Sequence, residues 1–236
     1  MELEIVDLRG RWPWHGRPYA TRPLDGIHQV VVHHTATTGA STRGEALALL
    51  DRVQRDHTEA RGWPGIAYHY AVGDGGEVYQ LHDLERVTFH AGARGNRSGV
   101  AVALLGDFTR REPSPAALEA AARLHVAVER AVGRALDLVG HRDLMATACP
   151  GKEWSRWRRT LLAAIARERA AGGKATWGEP HLGEGMRSYV AAHRAATGRV
   201  LGAERYLTPR LSVAETERGW LVYDAQRNAV GFAPME

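Results

Sequence analysis

A run of five residues, Val30 to His34, constrains the fold more than any other part of the chain. Three consecutive valines lead into two histidines, with no alternation of apolar and polar side chains. Continuous β-branched runs of this kind are typical of strands that are buried on both faces, as in parallel sheets covered by helices. We therefore predict a central strand here, and its two terminal imidazoles raise the question of what chemistry they serve.

The segments around this strand predict an α/β domain. Further strand patterns are found in GVAVALLGDF, in LDLVGHRD and on both sides of the GDGG turn, while helix patterns begin after Thr42, after Ser114 and at Trp154. Thr42 and Glu45 have capping-box spacing, and Ser114 with Pro115 suits the first two positions of a helix that reaches about Leu136. Strands and helices in this order predict a central mixed β-sheet flanked by helices.

The two ends of the chain differ from this pattern. The segment up to about Gly26 is rich in Arg, Pro and Trp and predicts an extended lead-in without an element of its own. The last strong helical pattern stops at Gly172 and Gly173, so we predict a main domain over residues 1–172 and a small C-terminal appendage over residues 173–236. Within the appendage, Met186 to Ala196 predicts a short helix and GWLVYDAQRNAVGF predicts a hairpin.

Composition restricts the partners. The net charge of +4 comes almost entirely from arginine, which favours an anionic partner such as nucleic acid, an anionic polymer or a cell wall. The arginines form no block with interleaved aromatic residues, so we expect no nucleic-acid binding. No apolar run is long enough for membrane insertion, and the acidic N-terminus does not resemble a signal peptide, so we expect synthesis in the cytoplasm. The expected state is a monomer.

The histidines at the end of this strand are best explained as part of a metal site. His141 stands eight residues before Cys149, the single cysteine, in a loop that follows a predicted strand. An imidazole and a thiolate are two of the three protein ligands that a catalytic zinc takes. His33 and His34 point to opposite faces of their strand, so one of them can supply the third ligand. Each residue taken alone is more often structural, and the metal interpretation depends on their combination.

Five ordered motifs, from about Val6 to Trp157, carry a family resemblance. They are IVDLRG, VVVHHTAT, HTEARGWPGIAYHYAVGDGGEVYQ, FHAGARGNRSGVAVALLGDF and VGHRDLMATACPG. Together they resemble the N-acetylmuramoyl-L-alanine amidases of the peptidoglycan-recognition-protein and phage-lysozyme type. The resemblance implies a zinc enzyme that hydrolyses the amide between N-acetylmuramic acid and L-alanine in peptidoglycan. Because the chain shows no signal peptide, the resemblance also implies a phage or prophage endolysin that acts on the cell wall after release.

The resemblance also assigns roles to individual residues. It implies that Zn²⁺ is held by His33, His141 and Cys149, and that Tyr68 and Thr147 are catalytic, with Tyr68 beside the catalytic water. Thr147 stands where some phage enzymes have a lysine. The predicted substrate-binding residues are His34, Trp63, His90 and Asn96, although the opposite facing of His34 on its strand predicts chiefly a packing role. Where the family has a serine and a glycine after the asparagine, this chain has Gly99 and Ala101.

Two alternatives to a lytic enzyme stay open. Members of the family that lack the cysteine bind peptidoglycan without cutting it, so Cys149 favours an enzyme over a non-lytic recognition module. An intracellular amidase that recycles muropeptides is equally compatible with the missing signal peptide. The aromatic residues of the appendage suit either a cell-wall-binding module or a tail that docks on the main domain.

Overall fold

The computed structural model describes residues 3–172 without a break and, beyond them, 175–177, 189, 192–193, 196, 205–208, 211–216, 218–224 and 229–234. The chain divides into two compact units. The first combines Met1–Ile5 with His15–Thr176, and the second combines Val6–Trp14 with Trp177–Glu236. The predicted domain boundary at residue 172 stays a prediction. In the described part of the chain, no helix is both long and apolar enough to cross a membrane.

The predicted α/β class with a mixed sheet is confirmed. The sheet contains β1 (Leu3–Asp7), β2 (Gln29–His34), β3 (Tyr70–Val72), β4 (Val78–Gln80), β5 (Gly99–Leu104), β6 (Asp137–Gly140) and β7 (Ala175–Trp177). Their order across the sheet is β6-β2-β5-β3-β4-β1-β7. Strand β2 runs parallel to both of its neighbours, β5 and β6, whereas β3 is parallel to β5 and antiparallel to β4.

Five α-helices accompany the sheet in the described residues: α1 (Arg43–Arg55), α2 (Gly92–Ser98), α3 (Pro115–Val132), α4 (His141–Leu144) and α5 (Trp154–Ala171). A 3-10 turn spans Leu24–Gly26, and a π-helical turn, Asp56–Ala60, extends α1. The predicted capping box is present, with Thr42 and Glu45 each accepting a hydrogen bond from the backbone N–H of the other. Helix α3 ends earlier than predicted because Gly133 adopts the left-handed conformation that closes helices.

The central strand is buried on both faces, as its valines predict. Val30, Val31 and Val32 are 2%, 0% and 2% exposed. Val30 and Val32 belong to the apolar core that also contains residues of α3 and α5, while Val31 lies on the other face, close to Gly99. Full burial of a valine stabilises a fold by about 1.5–3 kcal/mol, so the three valines hold this strand firmly in the core. The two histidines at its end are thereby fixed in position.

The prediction of a lead-in without its own element is wrong, because β1 lies within it. Leu3, Ile5 and Asp7 are buried while Glu4 is exposed, so the strand follows the alternation of a sheet with one covered face. In the sequence, this alternation was the one signal for β1. It covers only five residues and is followed by an arginine-rich segment, so the strand was not predicted.

The predicted C-terminal hairpin is confirmed. Strands β10 (Gly219–Asp224) and β11 (Ala229–Pro234) pair antiparallel, in a four-stranded sheet of order β11-β10-β9-β8 that also contains β8 (Arg205–Thr208) and β9 (Leu211–Thr216). Leu221 is fully buried and packs against Tyr223 and Phe232. The helix predicted from Met186 to Ala196 lies largely outside the described residues.

A glycine holds the loop that follows Cys149 against the backbone of Phe108. Gly151 has φ +121°, and a Cβ atom there would lie 2.1 Å from the Phe108 carbonyl oxygen. We expect Gly151→Ala to lower the free energy of unfolding by more than about 3 kcal/mol, because it adds a backbone clash to an unfavourable φ.

Gly133→Ala is the matched control, since Gly133 also has a positive φ but open space around its Cβ position. Its expected loss is about 1–2 kcal/mol. Chemical denaturation measures both variants, and equal losses would contradict the proposed clash.

Candidate metal centre

The C-terminal ends of two parallel strands bring the predicted ligands together. Val32 of β2 lies opposite Gly140 of β6, so His33 and His141 follow side by side at the same edge of the sheet. Cys149 lies in the loop after α4, and its Sγ is 3.8 Å from His33 Nδ1. One ligand atom from each of the three residues lies within 4.8 Å of the other two. The structure therefore places all three sequence-predicted ligands around one point.

This donor set fits a zinc ion. With Zn–N near 2.0 Å and Zn–S near 2.3 Å, the ligand atoms of a tetrahedral site lie about 3.5 Å apart. The distance from His33 Nδ1 to Cys149 Sγ is close to this value. His33 is buried while His141 and Cys149 are half-buried, so the cluster is open on one side. Three ligands with one open side are the arrangement of a catalytic zinc site.

Burial sets the protonation of the three ligands. It lowers the pKa of His33 well below its usual value, and it also lowers the pKa of His141. Both imidazoles are therefore neutral near pH 7, as metal ligands must be. Burial raises the pKa of the Cys149 thiol to about 11, although the His34 backbone N–H, 3.4 Å from Sγ, opposes this shift. The thiol must lose its proton when a metal binds.

The loop that carries two of the ligands is held by hydrogen bonds. Asp143 Oδ2 accepts from the Gly140 N–H at 2.7 Å and from Trp154 Nε1 at 2.8 Å. Gly140 has no room for a side chain, because a Cβ there would lie 2.7 Å from the Trp154 indole. The Arg142 N–H donates to the Cys149 carbonyl oxygen at 2.9 Å. These contacts connect His141 to Cys149 and both to the start of α5.

The predicted catalytic residues lie beside the cluster. The Tyr68 ring is 5.4 Å from the His33 ring, and burial together with the nearby Cys149 raises the Tyr68 pKa well above its usual value. Tyr68 is therefore a neutral hydroxyl that can donate a hydrogen bond. Thr147 Oγ1 accepts from the Cys149 N–H at 3.3 Å, which leaves the Thr147 hydroxyl hydrogen available for donation.

Two residues that sequence reasoning missed position Tyr68. His57 Nδ1 accepts from the Ala67 N–H at 3.0 Å, and Gln54 Oε1 accepts from the Ile66 N–H at 2.6 Å. His57 lies in the π-helical turn, a type of irregularity that is frequent at functional sites. The available signal was the helical spacing of His57 from Leu50 and Val53, which continues the pattern of α1 into the π-helical turn.

The four predicted substrate-binding residues occupy different surroundings. His34 is 8% exposed and its Nδ1 accepts from the Phe108 N–H at 3.2 Å. Asn96 Oδ1 accepts from two backbone N–H groups. His90 is 7% exposed and its Nδ1 is 3.1 Å from His33 Nε2. Trp63 is half-buried against His57. The structure therefore brings His90 to the ligands, and the substrate-binding roles of the four residues stay predictions.

Comparison with known proteins places this geometry in a family. The chain matches the model of the Amidase_2 family, described as N-acetylmuramoyl-L-alanine amidase, over residues 22–152. Peptidoglycan-recognition protein SC1a of Drosophila melanogaster is 30% identical over 161 residues, which are 64% of this chain and 86% of that protein. An N-acetylmuramoyl-L-alanine amidase of Sus scrofa is 33% identical over 183 residues, which are 71% of this chain and 30% of that protein.

Solved structures agree with this assignment. The ectodomain complex of peptidoglycan recognition proteins LCa and LCx with tracheal cytotoxin matches with a TM-score of 0.60 and 31% identity, over 66% of this chain and 96% of the matched chain. An endolysin from a Thermus scotoductus bacteriophage matches with a TM-score of 0.55 and 27% identity, over 68% and 98%. The family match spans 131 of the 236 residues and includes His33, His141 and Cys149. The chain belongs to the Amidase_2 family of N-acetylmuramoyl-L-alanine amidases.

Proposed function

We propose that the protein is a zinc-dependent N-acetylmuramoyl-L-alanine amidase that cleaves peptidoglycan. The observation that carries this proposal is the convergence of His33, His141 and Cys149 within 4.8 Å in a chain of this family. The predicted bond is the amide between N-acetylmuramic acid and L-alanine. Water adds to the carbonyl carbon, the C–N bond breaks, and the departing alanine nitrogen takes a proton.

The residues around the cluster have the properties that this reaction requires. His33, His141 and Cys149 would hold the zinc ion, which would supply Lewis-acid polarisation of the carbonyl and would lower the pKa of water to about 7. Tyr68 and Thr147 carry neutral hydroxyls on the same side of the fold, and each can donate a hydrogen bond to the oxyanion of the tetrahedral intermediate. Such a donor is typically worth about 3–4 kcal/mol in the activation free energy.

Peptidoglycan as the substrate is supported by the relatives. Several are named peptidoglycan-recognition proteins, and at least three matching structures hold tracheal cytotoxin. A non-lytic recognition module is the second candidate, because several relatives carry recognition in their names. The placement of the Cys149 sulfur next to His33 Nδ1 favours hydrolysis over recognition alone, because a binding module has no use for a third metal ligand. The endolysin match supports lysis of whole walls.

The first functional prediction concerns the metal. We expect the protein to release peptides with a free L-alanine amino terminus from purified sacculi. This release should stop when a chelator removes the metal and should resume when Zn²⁺ is added. Cys149→Ser should weaken zinc binding by more than about 100-fold and abolish release, because a neutral hydroxyl is a poor substitute for thiolate.

Ala148→Ser, an exposed change in the same loop, is the matched control and should keep full activity. Binding to sacculi without any peptide release, in the zinc-loaded wild type, would support the recognition module instead.

The adjacent histidines are expected to differ in effect. His33→Ala should abolish zinc binding and hydrolysis. His34→Ala should keep zinc binding and lower the free energy of unfolding by about 1–3 kcal/mol, because the buried Phe108 N–H loses its acceptor. Zinc titration and chemical denaturation of both variants separate the two roles, and the reverse pattern would show that the strand presents the other histidine to the metal.

Tyr68 is expected to act in the chemical step. Tyr68→Phe should lower kcat by about 100- to 1000-fold, because it removes an oxyanion donor, and should leave zinc affinity unchanged. Tyr79→Phe makes the same chemical change on β4, where the hydroxyl is buried, and should leave kcat unchanged. Steady-state kinetics on a soluble muropeptide measure both, and an equal effect of the two variants would contradict a catalytic role for Tyr68.

A further inference from the structure

His33 has a neighbour on each of its two ring nitrogens. Its Nδ1 faces Cys149 Sγ at 3.8 Å, which is the side of the metal cluster. Its Nε2 lies 3.1 Å from His90 Nδ1, and the two rings meet edge to face with centroids 5.1 Å apart. Both side chains are buried, so water does not compete for this contact. Burial also lowers the pKa of both side chains, so the His33–His90 contact is a hydrogen bond between two neutral imidazoles.

The direction of this hydrogen bond decides whether His33 can bind a metal. A neutral imidazole carries one proton, and the nitrogen without it is the ligand atom. If His33 donates from Nε2 to His90 Nδ1, then His33 Nδ1 is unprotonated and faces Cys149. If His90 donates instead, His33 carries its proton on Nδ1 and cannot bind there. The contact thus selects between a competent and an incompetent tautomer of the ligand.

The surroundings of His90 keep its ring in place for this contact. Asn96 Oδ1 accepts from the backbone N–H of His90 at 2.8 Å and of Ala91 at 2.7 Å, which fixes the turn that carries the ring. Gly99 leaves room for the ring, because a Cβ there would lie 3.2 Å from His90 Cε1. The same Cβ would lie 2.7 Å from the Gly95 carbonyl oxygen. A serine at position 99 would therefore crowd both helix α2 and the His90 ring.

We propose that His90 is a positioning residue that accepts the Nε2 proton of His33 and thereby holds His33 Nδ1 unprotonated towards His141 and Cys149. Asn96 supports this function through the backbone of His90. The inference rests on the metal part of the proposed function, and it gives both residues a structural role in place of direct contact with the substrate. Partners of this kind on the second nitrogen of a histidine ligand orient the ring and strengthen metal binding.

Two variants of the full-length chain test the proposal. His90→Phe keeps an aromatic ring and removes the acceptor, whereas His90→Asn places an amide oxygen close to the position of Nδ1. Both lack Nε2, so the difference between them isolates the acceptor. We expect His90→Phe to weaken zinc binding by about 10- to 100-fold and His90→Asn to retain most of the affinity. Chelator competition measures zinc affinity, and melting temperatures show that both variants are folded.

The tautomer is measured separately, in the metal-free protein. Nitrogen-15 chemical shifts of His33, assigned through their loss in His33→Ala, should show the proton on Nε2 in the wild type and in His90→Asn. In His90→Phe, a larger share of the proton should move to Nδ1.

Three results would overturn the proposal: a proton on Nδ1 in the wild type, equal zinc affinity in His90→Phe and the wild type, or equal weakening in the two folded variants. Failure of the wild type to bind zinc would overturn the proposed function. The tautomer measurement would still decide the role of His90.

Discussion

The parallel pairing of β2 with β6 is the constraint on which the candidate site depends. Val32 lies opposite Gly140, and the residue that follows each of them is a histidine. The two imidazoles therefore lie side by side at the same edge of the sheet. A shift of one residue in β2 would turn His33 to the opposite face and present His34 instead. The buried valines oppose such a shift, since it would exchange the contacts of both faces at once. The core therefore fixes the ligand geometry as well as stability.

Beyond the strand ends, side chains that accept backbone N–H groups hold the site. Asp143 fixes the start of α4, Asn96 fixes the turn at His90, and His57 fixes the segment before Tyr68. Each acceptor binds a backbone N–H at the end of a strand or in a loop beside the site. A ligand set on loops of this kind is preorganised, so little conformational entropy remains to be lost when a metal or substrate binds. This arrangement suits the proposed hydrolysis, in which the substrate carbonyl must be held against fixed donors.

Local patterns predicted the elements that local physics controls. Side-chain periodicity and capping act within a few residues, so the sequence predicted the central strand, the capping box at Thr42 and the C-terminal hairpin correctly. Helix α2 could not be predicted, because GARGNRS contains two glycines and no apolar residues at helical spacing. It forms next to a hydrogen-bonded turn that Asn96 stabilises, which is a tertiary effect. The strand β1 was missed because its alternation spans only five residues.

For the site, the sequence alone determined which residue types could bind a metal and which strand and loop carry them. Two histidines at the end of a buried strand, and a histidine eight residues before the single cysteine, are enough for that inference. Only the tertiary structure decided which nitrogen of His33 faces the cluster and which residue occupies the other. His33 and His90 are 57 positions apart, so no local pattern relates them. Their contact arises because the segment before β5 packs over the face of the sheet that Val31 and His33 share, as the closeness of Gly99 to both Val31 and His90 shows.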